Sequence, residues 1–193
     1  VEELEELTTE MESFHPHAIK VVPTASTLVH SIQMLQWVRK GTSDIARIGF
    51  AMGQKGTCSR LLTIVFGAPI TYASFGDAVA PGQLSMDVLL NCYRVPELKD
   101  GCLIYGVAGK DVHHSRELEV MNQQLKKKQL NAVCIPLECL DLHELLAVME
   151  GLNIKGVQLE DPLKEIAIDK FSGSGSFPGT SVYMEIPSFH GKQ

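Results

Sequence analysis

Residues 17–25 read HAIKVVPTA, and residues 45–62 read IARIGFAMGQKGTCSRLL. HAIKVV is a short apolar run stopped by Pro23, which reads as a buried strand. Ahead of it, Leu4, Leu7 and Met11 recur at spacings of three and four, so residues 2–13 read as an amphipathic helix. Behind it, Leu28, Ile32, Leu35 and Val38 fall on one face of a second helix over residues 27–39. Residues 45–52 read as a strand running into GQKG, 59–66 as a short helix, 69–73 as a short strand and 85–92 as another helix. Strand alternating with helix predicts βα units and a parallel sheet or barrel, so the fold class is α/β.

The polar stretch RVPELKDG (94–101), with its Pro and terminal Gly, reads as a linker. A second βα series follows it. Strands are expected over 103–108, 132–136 and 154–159. A helix over 115–129 has Ser115 as N-cap and Glu117 and Glu119 in its first turn, and a helix over 141–150 is capped by Gly151. After Lys170 the pattern stops, and FSGSGSFPGTS predicts a flexible tail over 171–193.

Apolar residues make up 45% of the 193 and charged residues 21%, as in a globular protein in water. The net charge of -6 argues against nucleic acid or an anionic membrane as partner, since both favour a basic surface. Cys58, Cys92, Cys102, Cys134 and Cys139 form no CxxC pair and are odd in number, which predicts reduced thiols in a cytoplasmic setting and no zinc site. No apolar run is long enough to span a membrane. The opening VEELEELTTEM is neither a signal nor a transit peptide; without an initiator Met, it reads as part of a longer protein. His113, His114 and His143 lack the spacing of a local zinc motif, and the KKK at 126–128 is a solvated helix end.

Lys20 interrupts the apolar run AIKVV. Such a lysine either reaches solvent from the strand end or is buried. Burial disfavours its charged form and frees the amine to attack a carbonyl.

AIKVVPTA (18–25), GFAMGQKGTCSRLL (49–62) and APGQLSMDVL (80–89), with ITYAS at 70–74, lie in the order and at the spacing of three blocks found late in one enzyme family. The stretch resembles type I 3-dehydroquinate dehydratases. The resemblance implies a partial (β/α)8 barrel over residues 1–93, made of the last strands of the family's eight. It implies that Lys20 forms the Schiff base, that Arg60 grips the substrate carboxylate, that Gln83 contacts substrate hydroxyls and that Met52 and Tyr72 line the pocket. No cofactor is implied for this chemistry. Val79 stands where the family has Ser. The family's general-base His and its carboxylate partner belong to earlier strands, and neither His15 nor His17 has their context.

IYGVAGKDVHHSRELEVMN (104–122) and GVQLEDPLKE (156–165) resemble the opening blocks of shikimate dehydrogenases. This resemblance implies a βαβ-type substrate-binding domain over 102–170, with Lys164 as proton relay and Ser115 holding the carboxylate of shikimate or 3-dehydroshikimate. Glu117, Gln158 and Glu160 replace the family's Ser, Asn and Thr, and the two carboxylates are expected to repel an anionic substrate. NADP is the implied cofactor of the dehydrogenase, but Gly106 and Gly109 do not make a dinucleotide fingerprint. The expected function is 3-dehydroquinate dehydration, linked to a shikimate-dehydrogenase-like domain in the shikimate pathway. The alternatives are a non-catalytic remnant of that bifunctional enzyme and an unrelated Schiff-base aldolase-like barrel. Open barrel edges favour a homo-oligomer.

Overall fold

The computed structural model describes residues 2–76, 80–171 and 182–184. Helix α1 (Glu2–Glu12) leads into strand β1 (Ala18–Val21), and helix α2 (Leu28–Arg39) carries the chain over to strand β2 (Ala46–Gly49). β1 and β2 pair in parallel, from Ala18 against Ala46 to Val21 against Gly49. A further parallel bridge joins Thr24 to Met52 beyond the strand ends. A 3-10 turn (Gln54–Gly56) then opens helix α3 (Thr57–Leu62).

The strand expected at 69–73 does not form. The nearest pairing is a single bridge between Ser74 and Ser85, where the Ser74 N–H donates to the Leu84 carbonyl at 2.9 Å. A strand needs a ladder partner, and β2 pairs only with β1 among the described residues. The helix expected over 85–92 is present, wound as a π-helix over Val88–Cys92. The Val79 position lies outside the described residues.

The second half is a four-stranded sheet in the order β4 (Ala132–Glu138), β3 (Leu103–Gly109), β5 (Gly156–Leu159), β6 (Val182–Met184). The first three strands run parallel, and β6 is antiparallel to β5. Helices α4 (Arg116–Lys127) and α5 (Leu142–Gly151) make the crossovers, and α6 (Leu163–Phe171) follows β5. Two expectations need correction here. The tail was expected to be flexible throughout, yet Val182–Met184 completes the sheet edge; residues 172–181 and 185–193 lie outside the described residues. Gly151, expected just past α5 as its cap, is instead its last residue, and a Cβ there would lie 3.1 Å from Ile32 side-chain carbons. Its absent side chain lets α5 approach α2.

Residues 94–101 are not a loose tether. Arg94, at φ 52°, is 5% exposed and donates to the carbonyls of Ala132 (3.1 Å) and Leu130 (3.4 Å). Val95 and Leu98 are buried beside it. The two halves therefore share one hydrophobic core, which runs from Ile19, Leu28 and Leu35 to Ile135, Leu145 and Val157. α2 shows how tightly they are joined. Thr27 makes no side-chain cap, and the Leu28 N–H instead donates to the Glu144 carboxylate of α5 at 2.6 Å. Lys55 pairs with the same carboxylate at 3.6 Å.

Buried Asn122 closes the outer edge of β4. Its amide donates to the Cys134 carbonyl (2.8 Å) and accepts from the Cys134 N–H (3.0 Å). Asn122→Ala is expected to cost about 2–3 kcal/mol by leaving both backbone groups without partners. Urea unfolding checks this, and a cost well below about 1 kcal/mol would mean that water replaces the amide.

Candidate functional site

The residues that position the site lie where β2 gives way to α3. The Ser59 hydroxyl accepts the Ala51 N–H (2.8 Å) and donates to the Gly56 carbonyl (2.6 Å), while Thr63 donates to the Gly49 carbonyl (2.6 Å). These buried bonds hold α3 against the end of the strand. That placement sets Arg60 beneath Phe50, with the guanidinium carbon 4.3 Å from the ring centroid. Phe50 meets Tyr72 at 5.7 Å between centroids, and the Lys20 Nζ lies 3.9 Å from the Tyr72 centroid. Lys20, Tyr72, Phe50 and Arg60 thus form one continuous row.

The two ends of the row differ. Arg60 is 3% exposed; no carboxylate among the described residues pairs with it, and its Nε is buried without a partner. Burial lowers its pKa. Lys20 is exposed, on the face of β1 opposite buried Ile19. Of the two readings left open by the sequence, the one that reaches solvent describes this chain. Its ammonium rests on the Tyr72 ring instead of being desolvated.

Met52 is half-buried and fixed through its backbone, donating to the Pro23 carbonyl at 2.7 Å and accepting from the Ala25 N–H at 2.9 Å. The loop that carries Gln83 is seated against the same segment. The Gly53 N–H donates to the Pro81 carbonyl at 3.1 Å, and a Cβ on Gly82 (φ 71°) would lie 2.3 Å from the Gly53 carbonyl oxygen. Only glycine permits that contact. Gln83 lines a cleft whose opposite wall carries His113 and His114 of the second half.

In the second half, Ser115 caps α4 by accepting the Glu117 N–H at 3.1 Å. Its hydroxyl is also within hydrogen-bond reach of the Glu117 carboxylate (3.0 Å) and of the Glu160 carboxylate. One hydroxyl proton cannot serve two carboxylates at once, so Glu117 and Glu160 compete for it. Burial raises the Glu160 pKa, and the neighbouring Glu117 charge adds to the rise against the pull of the Ser115 bond. The hydroxyl expected to hold a substrate carboxylate is taken up by this network. Lys164 stands half-buried at the start of α6, its N–H donating to the Glu160 carbonyl at 3.0 Å.

A raised carboxylate pKa stabilises the fold below the ordinary value, and that contribution is lost as pH rises through the raised one. Glu160→Gln is therefore expected to match the parent in melting temperature at about pH 4 and to exceed it at about pH 7. A gap that is the same at both pH values would contradict a raised Glu160 pKa.

Gly106 and Gly109 of β3 serve close packing. A Cβ on Gly106 would lie 2.6 Å from a Leu137 methyl, and one on Gly109 would lie 3.1 Å from the Glu160 Cβ. Both glycines therefore let the strand pack closely against its neighbours. Among the described residues no cluster of His, Cys, Asp or Glu fits a metal ion, and no helix is long and apolar enough to cross a membrane.

Two residues of interest were not singled out for these roles from sequence. Phe50, hidden in an apolar run, bridges Arg60 to Tyr72. His113, weighed only as a metal ligand, has its Nε2 2.9 Å from Glu138, and burial lowers its pKa despite that carboxylate.

The site and the parallel sheet pairing that positions it define an α/β protein. The family model for type I 3-dehydroquinase matches residues 1–100, and the chain belongs to that family. It is 28% identical over 170 residues to the chloroplastic bifunctional 3-dehydroquinate dehydratase/shikimate dehydrogenase of Arabidopsis thaliana, covering 87% of this chain and 28% of that protein. It is 39% identical over 88 residues to the 3-dehydroquinate dehydratase of Thermococcus gammatolerans, covering 46% of this chain and 39% of the relative. Among solved structures it resembles the dehydroquinate dehydratase and shikimate dehydrogenase from S. pombe AroM, with 24% identity, a TM-score of 0.38 and coverage of 85% of this chain and 31% of that one. The chain thus spans well under half the length of these relatives.

Proposed function

We propose that this chain carries the imine-forming and carboxylate-binding part of a 3-dehydroquinate dehydratase site. The observation that carries the reading is Arg60, a buried guanidinium with no paired carboxylate among the described residues, joined through Phe50 and Tyr72 to the Lys20 amine. A buried cation without a counter-ion is costly, and an anionic substrate would relieve that cost.

In this reading the Lys20 amine attacks the substrate ketone and releases water to give an imine. The protonated imine draws electrons from the adjacent C–H bond, whose proton is lost to form an enamine. The enamine expels the β-hydroxyl as water, and hydrolysis frees Lys20 and the enone product. Arg60 holds the substrate carboxylate through paired N–H donors. Tyr72 covers the amine, and Met52 and Gln83 complete the substrate contacts. The chemistry needs no cofactor. The setting is cytoplasmic, consistent with five free cysteines.

The second half would act as a shikimate-dehydrogenase-like substrate domain, with Lys164 as its proton relay and NADP, in its reduced form NADPH the hydride donor, bound elsewhere. The assay is the appearance of the conjugated enone from 3-dehydroquinate in a purified, folded sample. Enone formation that Lys20→Ala abolishes is the expected result.

A second reading, a non-catalytic remnant, is favoured by Lys20 lying in solvent and by Ser115 lying between two carboxylates. Absence of enone from a folded sample would support it over the first.

A further inference from the structure

The cleft that takes in Gln83 is built from both halves and measures about 490 Å³. One wall comes from the turn at Gln54 and the start of α3 at Thr57, a second from Pro81, Gln83 and Leu84, and a third from His113. Thr57 is 1% exposed, and its hydroxyl has no hydrogen-bond partner among the described residues. A buried, unpartnered hydroxyl is costly and is usually satisfied by something that enters the site. The His113 side chain is 9% exposed, with its Nε2 2.9 Å from the Glu138 carboxylate.

The lining specifies the ligand. Two amides, a hydroxyl and the imidazoles of His113 and His114 offer both donors and acceptors, while Pro81 and Leu84 give an apolar surface. Among the described residues no lysine, arginine or carboxylate lines the cleft, so a charged ligand would find no counter-ion among them. A ring with hydroxyls on its edge and C–H groups on its face matches both surfaces.

We propose that this cleft binds a small uncharged cyclic polyol, with the Thr57 hydroxyl, the Gln54 and Gln83 amides and His113 reading its hydroxyls. The site is distinct from the Lys20–Arg60 row and shares only Gln83 with the proposed dehydratase contacts. It stands or falls independently of imine formation.

The test is an NMR titration of the full ¹⁵N-labelled chain with myo-inositol, repeated with the carboxylated polyol quinate. Inositol is expected to shift the amides of residues 54–57, 82–84 and 113. Thr57→Val is expected to weaken binding by about fivefold, the worth of one hydrogen bond, and Lys20→Ala to leave it unchanged. Gln54→Ala, at an exposed position, provides a second variant with the same expectation should Thr57→Val fail to fold. Shifts confined to another surface, unaltered affinity in both cleft variants, or preferred binding of quinate at these amides would overturn the proposal.

Discussion

Arg60→Met is expected to raise the concentration of 3-dehydroquinate needed for half-maximal capture by about a hundredfold, and to leave the fold at least as stable as the parent. Loss of a paired N–H grip on a carboxylate costs about 3 kcal/mol, and each 1.4 kcal/mol is about tenfold in affinity. The stability arm follows from burial. Arg60 is 3% exposed, and burial lowers its pKa, so its charged form is held at a cost. An apolar side chain of similar length removes that cost and keeps the packing on Phe50. A variant that binds normally would remove Arg60 from the site. A variant that binds poorly and also melts early would make Arg60 a structural residue.

Glu144→Ala is expected to destabilise the chain by about 3 kcal/mol and to loosen both halves together. Glu144 supplies a side-chain cap at the start of α2, accepting the Leu28 N–H at 2.6 Å, and it also pairs with Lys55. Removing it leaves a helix-start N–H and a partly buried ammonium without their acceptor. Because α2 belongs to the first half and α5 to the second, one cooperative transition should shift in a thermal melt followed by Trp37 fluorescence and by far-ultraviolet circular dichroism. Two separate transitions, with only one of them moved, would contradict a shared core.

Much of the architecture was legible in the residues because it rests on local periodicity. The helices at 2–12, 28–39 and 116–127 follow apolar spacings of three and four, and the parallel strands follow short apolar runs between them. What was not legible depends on distant partners. ITYAS (70–74) has the composition of a strand but pairs only at Ser74. Gly151 looked like a helix stop and does end α5, but its close approach to Ile32, a residue far away in the chain, was not legible. The cap on α2 comes from a carboxylate 116 residues away. RVPELKDG reads as polar, yet Arg94 is buried because the carbonyls at Leu130 and Ala132 receive it.

The site follows the same division. The motif blocks named Lys20, Arg60, Met52, Tyr72 and Gln83, and the fold brings Lys20, Tyr72 and Arg60 into one row through Phe50. Whether Lys20 is buried depends on what covers β1, which no local pattern states. Ser115 looked like a ligand contact and a helix cap at once, and the fold uses it as the cap. The carboxylates of Glu117 and Glu160, suspected from sequence as repulsive, are the groups that occupy its hydroxyl.

The central claim is that Lys20 forms an imine with 3-dehydroquinate while Arg60 holds its carboxylate. Borohydride reduction in the presence of 3-dehydroquinate, followed by intact mass and peptide mapping, tests it most directly. The predicted result is one reduced adduct on Lys20, absent in Lys20→Ala and weakened in Arg60→Met. No adduct from a folded sample, or adducts spread over surface lysines without dependence on Arg60, would contradict it.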